Sequence, residues 1–176
     1  MTLNVAQHEH PSCWVQRFAG TIPAGGSVLD VACGSGRHAR LLAGLGYRVV
    51  AVDRNADAIA ALAPLPGIEA CVADLEAEVW PFPGRRFAGV VVTNYLHRPL
   101  FPVLLDCIAE AGVLIYETFA RGNERYGRPA HPDFLLEPGE LLRVAAGRMR
   151  VLAYEDLFVE EPKPAMVQRI CALREV

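Results

Sequence analysis

Residues 28–39 read VLDVACGSGRHA, an apolar run that breaks into Gly34-Ser35-Gly36 and resumes as a helical pattern from Arg37 to Leu45, where Gly46 stops it. That is a strand, a tight turn and a helix. Glycine belongs in such a turn because a side chain would keep a ligand off the backbone, and the helix start behind it leaves N–H groups without partners. Outward from this unit the pattern repeats. Tyr47–Val52 predicts the second strand, Ala56–Ala63 a helix that Asn55 can cap, Ile68–Ala73 the third strand and Phe87–Thr93 a fourth, apolar enough to be buried on both faces. Between them Leu75–Arg86 holds Pro81, Pro83 and Gly84, which leaves room for a short helix at most. Pro99–Glu110 predicts another helix, Gly112–Phe119 a fifth strand, and a helix entered at Pro138 ends near Gly147. Arg150–Val159 and Ala165–Arg174 flank EEPKP as a closing antiparallel hairpin. Strands alternating with helices predict an α/β fold, Rossmann-like and doubly wound, with a mostly parallel seven-stranded sheet and an antiparallel C-terminal hairpin.

The chain has 176 residues, one domain's worth, and no repeat or linker divides it. Its 52% hydrophobic and 21% charged content exclude a disordered chain. Lys and Arg number 17 against 20 Asp and Glu, a net charge of −3, so a nucleic-acid partner is disfavoured. The longest apolar stretch, Leu100–Tyr116, is broken by Asp106 and Glu110, and the first residues lack the basic start and apolar run of a signal peptide. Cys13, Cys33, Cys71, Cys107 and Cys171 are odd in number and widely spaced, as reduced thiols of a cytoplasmic protein would be. His8 and His10 flank Glu9 without a third ligand, so no metal is expected.

The glycine turn alone is ambiguous, because residues 34–39 also satisfy the dinucleotide pattern G-x-G-x-x-G/A, and a nicotinamide-dependent oxidoreductase stays open. The acids separate the readings. Asp53 ends the second strand, where a carboxylate accepts ribose hydroxyls, and Asp74 ends the third, where one can accept from an adenine amino group. Asp30, just before the glycines, would repel a pyrophosphate but welcome a cationic amino-acid end. Adenosine joined to a positively charged amino acid is S-adenosylmethionine.

On these residues the chain resembles the class I S-adenosylmethionine-dependent methyltransferases. VLDVACGSGRHA looks like their first motif, AVDRN (residues 51–55) their second, ADLE (73–76) their third and GVVVTNYLHR (89–98) their fourth. The resemblance implies that Asp30, Ala32, Gly34 and Gly36 border the cofactor, that Asp53 with Arg54 holds the ribose, and that Asp74 and the Leu75 amide read the adenine. Asn94 and Tyr95 would face the methionine end and the substrate. Residues 118–142 resemble a small bacterial branch distantly similar to tellurite-resistance methyltransferases. Ala32 stands where the family more often has glycine, Ala88 where it often has Asp, and no Asn-Pro-Pro-Tyr motif follows the fourth strand, which disfavours nucleobase methylation.

The resemblance implies methyl transfer to a small molecule, an anion, thiol or oxyanion, by a monomer or homodimer. A non-catalytic cofactor-binding module remains the bland alternative. If a base is needed, Tyr95, His97, His131 and Glu117 are the candidates, although His97 and Arg98 can equally face solvent; Asn94 could cap the next helix but is read with Tyr95 as a pocket residue. The Ala120–Asp133 stretch, with no regular pattern and three arginines, reads as either a substrate lid or a solvated loop. Glu117, an acid inside GVLIYETF, should line the pocket or pair with an arginine of that loop. Trp14, Arg17 and Phe18 predict a helix over the cofactor, Arg17 meeting the methionine carboxylate and the two rings packing.

Overall fold

The computed structural model describes residues 10–77 and 79–175. Its strands are β1 (Ser27–Val31), β2 (Arg48–Asp53), β3 (Ile68–Val72), β4 (Phe87–Thr93), β5 (Ile108–Phe119), β6 (Arg150–Val159) and β7 (Ala165–Leu173). They form one sheet in the order β3-β2-β1-β4-β5-β7-β6. The first five run parallel, and β7 enters antiparallel between β5 and β6. This is the expected seven-stranded, doubly wound arrangement.

Successive strand residues point to opposite faces, and the sheet is apolar on both. Leu29, Val31, Val50, Val52, Val90 and Val92 pack on one side, under α4 (Phe101–Asp106) and α5 (Glu140–Ala145). Val28, Val49, Ala51, Val91 and Ile115 pack on the other, under α1 (Cys13–Phe18), α2 (Arg37–Gly44) and α3 (Ala56–Leu62). Asp30 shares the second face with Val28, beneath α2. The strand order reverses between β1 and β4, so the ligand-binding crevice of such a sheet opens beyond the carboxyl ends of those strands.

The region between β4 and β5 corrects the sequence reading. The helix expected over Pro99–Glu110 is a 3₁₀ turn, Arg98–Leu100, followed by α4, which stops at Asp106. Strand β5 begins at Ile108, four residues before the expected Gly112. Ile108 pairs with Phe87, both fully buried, and the register then shifts through a bulge where Ala111 takes φ 58°. Burying two large side chains, at about 1.5–3 kcal/mol each, outweighs the helix preference of Ala109 to Ala111, which amounts to a few tenths of a kcal/mol per residue.

Helix α1 forms as expected, but Arg17 does not reach the ligand edge. Its guanidinium lies over the Phe18 ring at 4.9 Å and 3.7 Å from Glu155 of β6. Trp14 is buried, its indole N–H donating to the Ile170 carbonyl at 3.2 Å, so the aromatic residues pack. Ser12 caps the helix, accepting from the Trp14 and Val15 N–H groups.

The 120–133 stretch is less irregular than its sequence suggests. It contains the 3₁₀ turn Asn123–Arg125 and enters a second, Pro132–Phe134, and an Ala120–Leu136 bridge ties its start to the residues just past its end. Asn123 is buried, donates to the Pro129 carbonyl at 2.8 Å and accepts the Met166 N–H at 3.2 Å. Among the described residues no helix is long and apolar enough to cross a membrane. His8 and Glu9 lie outside the described residues.

Candidate functional site

A hollow of about 270 Å³ opens at the carboxyl ends of β1, β2, β3 and β4. Ala32, Asp53, Arg54, Ala73, Asp74, Leu75, Glu76, Asn94 and Tyr95 line it. It gathers six of the nine residues the sequence singled out for the cofactor. Asp30, in β1, and Gly34 and Gly36, in the turn that follows it, are not among its lining residues.

The chain turns from β1 into α2 through three left-handed residues. Ala32, Gly34 and Gly36 have φ of 50°, 54° and 78°. The two glycines have different reasons to be there. A Cβ on Gly36 would sit 2.4 Å from Leu62 Cδ2, so that position is closed by packing. A Cβ on Gly34 would meet no protein atom within 4 Å, so the surface above it is open to a ligand. Ala32 holds a left-handed conformation that disfavours any Cβ, by about 1–2 kcal/mol for an L-residue. The commoner glycine of the resembled motif therefore has a conformational rationale.

Asp53 ties the turn to β2. Its Oδ2 accepts the Gly34 N–H and its Oδ1 the Asn55 N–H, each at 2.8 Å. A carboxylate has about four acceptor sites, so both oxygens keep capacity toward the hollow. Asp74 Oδ1 accepts the Glu76 N–H at 3.0 Å, so one of its oxygens caps the turn that presents Leu75. Glu76 also lines the hollow and was not foreseen. Asp53, Asp74 and Glu76 face Arg54 alone, which leaves an excess of acid suited to a ligand rich in donors or positive charge.

On the β4 side the tip is braced from behind. Asn94 takes φ 53°, a conformation Asn tolerates better than most residues, and its N–H donates to the Glu117 carbonyl at 2.9 Å. The Tyr116 hydroxyl donates to the Tyr95 carbonyl at 2.7 Å. Burial, and then the Glu76 carboxylate, push the Tyr95 phenol well above its ordinary value. The phenol is a hydrogen-bond donor at neutral pH, which argues against a role as base.

His97 and His131 are not among the residues lining the hollow. His131 is exposed, and its Nδ1 accepts the Asp133 N–H at 3.3 Å as the cap of the second 3₁₀ turn. Arg98 does not face solvent freely. It grips Glu140 at 2.8 Å and donates to the Asp133 and Leu135 carbonyls, tying the β4 loop to the end of the 120–133 stretch. Of that stretch's arginines, Arg121 pairs with Glu137 at 2.7 Å.

Glu117 corrects an expectation. Its partner is not a loop arginine but Arg169 on β7, directly opposite in register and 3.0 Å away, with Ser12 Oγ donating to its other oxygen at 2.7 Å. Ser12 also donates its N–H to His38 Nε2 at 3.0 Å. That fixes the tautomer of His38, whose Nδ1–H faces Thr93 Oγ1 at 3.3 Å. His38 is 1% exposed, and burial, followed by the nearby Arg37, lowers its pKa to about 3. It is a neutral strut between α1 and the β4 tip. Ser12 and His38 were unmarked in the sequence, since nothing local couples residues 26 positions apart. The Cys33 thiol is pushed up by burial first and by Asp30 and Asp53 next, so it is no nucleophile at neutral pH.

A family model described as a methyltransferase domain matches residues 6–149. No curated protein matches the sequence. Among solved structures, TehB from Haemophilus influenzae superposes with a TM-score of 0.75 at 21% identity, over 92% of this chain and 61% of that one. The chain thus spans less than two thirds of the length of that protein. A TehB-like S-adenosylmethionine-dependent methyltransferase from Corynebacterium glutamicum gives 0.67 at 18% identity, over 92% of this chain and 87% of that one. The glycopeptide N-methyltransferase MtfA, complexed with S-adenosylhomocysteine, gives 0.64 at 18% identity, over 91% and 88%. At these identities the likeness concerns the fold.

Proposed function

The chain belongs to the methyltransferase domain family, and from that premise we propose that it transfers a methyl group from S-adenosylmethionine to a small acceptor, an anion, a thiol or an oxyanion. One observation carries the cofactor reading: the open surface over left-handed Gly34 adjoins a hollow whose rim is Asp53, Asp74, Leu75 and Asn94. Asp53 has acceptor capacity for ribose hydroxyls, and Asp74 with the Leu75 amide offers an acceptor and a donor to an adenine edge. Gly36 and Ala32 shape the turn, and Arg54 borders the ribose side. A dinucleotide suits this site less well, because a pyrophosphate over Gly34 would lie close to the buried Asp30 carboxyl.

When bound, S-adenosylmethionine supplies an electrophilic methyl group on a sulfonium. The chain's part in an in-line displacement is to align the acceptor and exclude water, and holding two reactants in place is worth about 7–11 kcal/mol of barrier. Asn94 and Tyr95 stand nearest to that task, on a tip braced by Glu117, Tyr116 and His38. A thiolate or an oxyanion needs no strong base. This suits a hollow whose phenol is held protonated and which neither His97 nor His131 lines. We place the small molecule as the partner, with the 120–133 segment and its arginines bordering the acceptor.

The test is an acceptor screen with methyl-labelled S-adenosylmethionine across small thiols, carboxylates and metalloid oxyanions. The expected result is label in one class with stoichiometric S-adenosylhomocysteine, undiminished by His97→Ala or His131→Ala. Loss of turnover in both variants would restore a histidine base, and absence of transfer to every class would remove the acceptor proposal.

A further inference from the structure

The helix of a parallel crossover ordinarily covers the strands it joins. The crossover from β3 to β4 holds Pro81, Pro83 and Gly84 and forms no helix among its described residues. A second hollow, of about 500 Å³, stands against the sheet there, with Arg85 of that crossover as one wall. Ser27, Arg48, Val50 and Glu69 supply the rest of its side-chain lining, near the amino ends of β1, β2 and β3. The volume falls within the roughly 300–1,000 Å³ of small-molecule sites. The first hollow lies at the carboxyl ends, and Arg48 and Asp53, at the two ends of β2, stand roughly 16 Å apart at the usual strand rise.

Ser27 pairs with Arg48 and Val50 with Glu69, so strand alternation puts these four side chains on one face of the sheet. Val50, 2% exposed, gives that face an apolar floor. Two of the three charges are committed to each other. Arg85 donates to both Glu69 oxygens, at 2.7 and 3.1 Å, and its guanidinium lies over the Phe82 and Phe87 rings at 5.6 and 5.3 Å. Arg48 is different: among the described residues no carboxylate pairs with it, and the Ser27 hydroxyl beside it has no hydrogen-bond partner. The hollow therefore presents one fork of donors and a hydroxyl above an apolar floor, with a single surplus positive charge.

We propose that this hollow binds a small organic carboxylate with an apolar body, at a site separate from that of methyl transfer. The guanidinium of Arg48 matches the two carboxylate oxygens, the Ser27 hydroxyl donates to one of them, and the body covers Val50. A phosphate monoester suits it less, because its charge of about −1.5 to −2 exceeds the one positive charge left over. A neutral molecule of the same shape leaves Arg48 unanswered. The proposal stands independently of the cofactor reading.

Nitrogen-15 NMR of the intact protein, titrated with benzoate, phenyl phosphate and benzamide, tests it. Benzoate should shift the amide signals of residues 48–50 and 67–69 saturably, with a dissociation constant of about 1 mM or below. It should do so equally in the presence of S-adenosylhomocysteine, while phenyl phosphate and benzamide bind more weakly. Arg48→Gln, a change at an exposed side chain, should weaken benzoate roughly ten- to hundredfold, and Arg48→Lys should restore part of the loss. Several results would overturn the proposal: no saturable shift at about 10 mM benzoate, benzamide binding as well as benzoate, or unchanged binding by Arg48→Gln. Tighter binding of phenyl phosphate would overturn the carboxylate assignment, and displacement of benzoate by S-adenosylhomocysteine would overturn the separate site.

Discussion

Gly34→Leu should leave a folded chain that has lost its adenosyl ligand. The two costs separate because Gly34 has φ 54° and no protein atom within 4 Å of where a Cβ would stand. The fold pays only the left-handed strain, about 1–2 kcal/mol. The ligand meets a side chain where it needs bare backbone, and obstruction of 3 kcal/mol or more weakens binding by at least about a hundredfold. Gly36→Ala should behave in the opposite way. Its Cβ would press on Leu62 Cδ2 at 2.4 Å in a fully buried contact, so stability falls before ligand binding can be assessed. Denaturant melts paired with S-adenosylhomocysteine titrations separate the two variants. A Gly34→Leu protein that binds the ligand as the parent does would mean that the turn does not face it.

The second large effect concerns the pH dependence of stability. Asp30 is raised from 3.8 to about 7 and His38 lowered from 6.5 to about 3. Between about pH 4 and 6.5 the folded chain therefore carries a proton on Asp30 and none on His38, while the unfolded chain does the reverse. The stability Asp30 contributes is full below 3.8 and is lost as pH rises through about 7. That of His38 is full above 6.5 and is lost as pH falls toward about 3. Each state holds one proton on the pair, so the two slopes cancel. In Asp30→Asn only His38 remains, and stability should fall on acidification by about 1.4 kcal/mol per pH unit, roughly 3 kcal/mol across the window. All other groups contribute alike to both proteins, so the difference between their stability curves isolates the pair. Curves that stay parallel from pH 6.5 to 4 would show that the two residues do not titrate as their burial demands.

The parts of this molecule that were legible in the sequence are those written locally. The run from Val28 to Ala39 specifies a strand, a glycine turn and a helix because apolar period, glycine placement and helix restart all lie within twelve consecutive residues. Asp53 and Asp74 could be placed on neighbouring tips because parallel β1, β2 and β3 leave little choice of register. What escaped is set by contacts between distant segments. Nothing near Glu117 announces Arg169, which meets it only once β7 slots in beside β5. Ser12 and His38 become a strut only when the N-cap of α1 meets α2 in the folded chain. The 107–112 boundary was misread because Ala109 to Ala111 satisfy a helix equally well, and only the burial of Ile108 against Phe87 decides for the strand. Arg17 lies in the expected helix, yet the position of Glu155 turns it away from the ligand edge.

A crystal structure of the S-adenosylhomocysteine complex tests the central claim most directly. The account predicts ribose hydroxyls on the Asp53 carboxylate, the adenine edge between Asp74 and the Leu75 N–H, and the homocysteine chain passing bare over Gly34. A ligand seated elsewhere, or one whose ribose leaves Asp53 bonded only to Gly34 and Asn55, would contradict it.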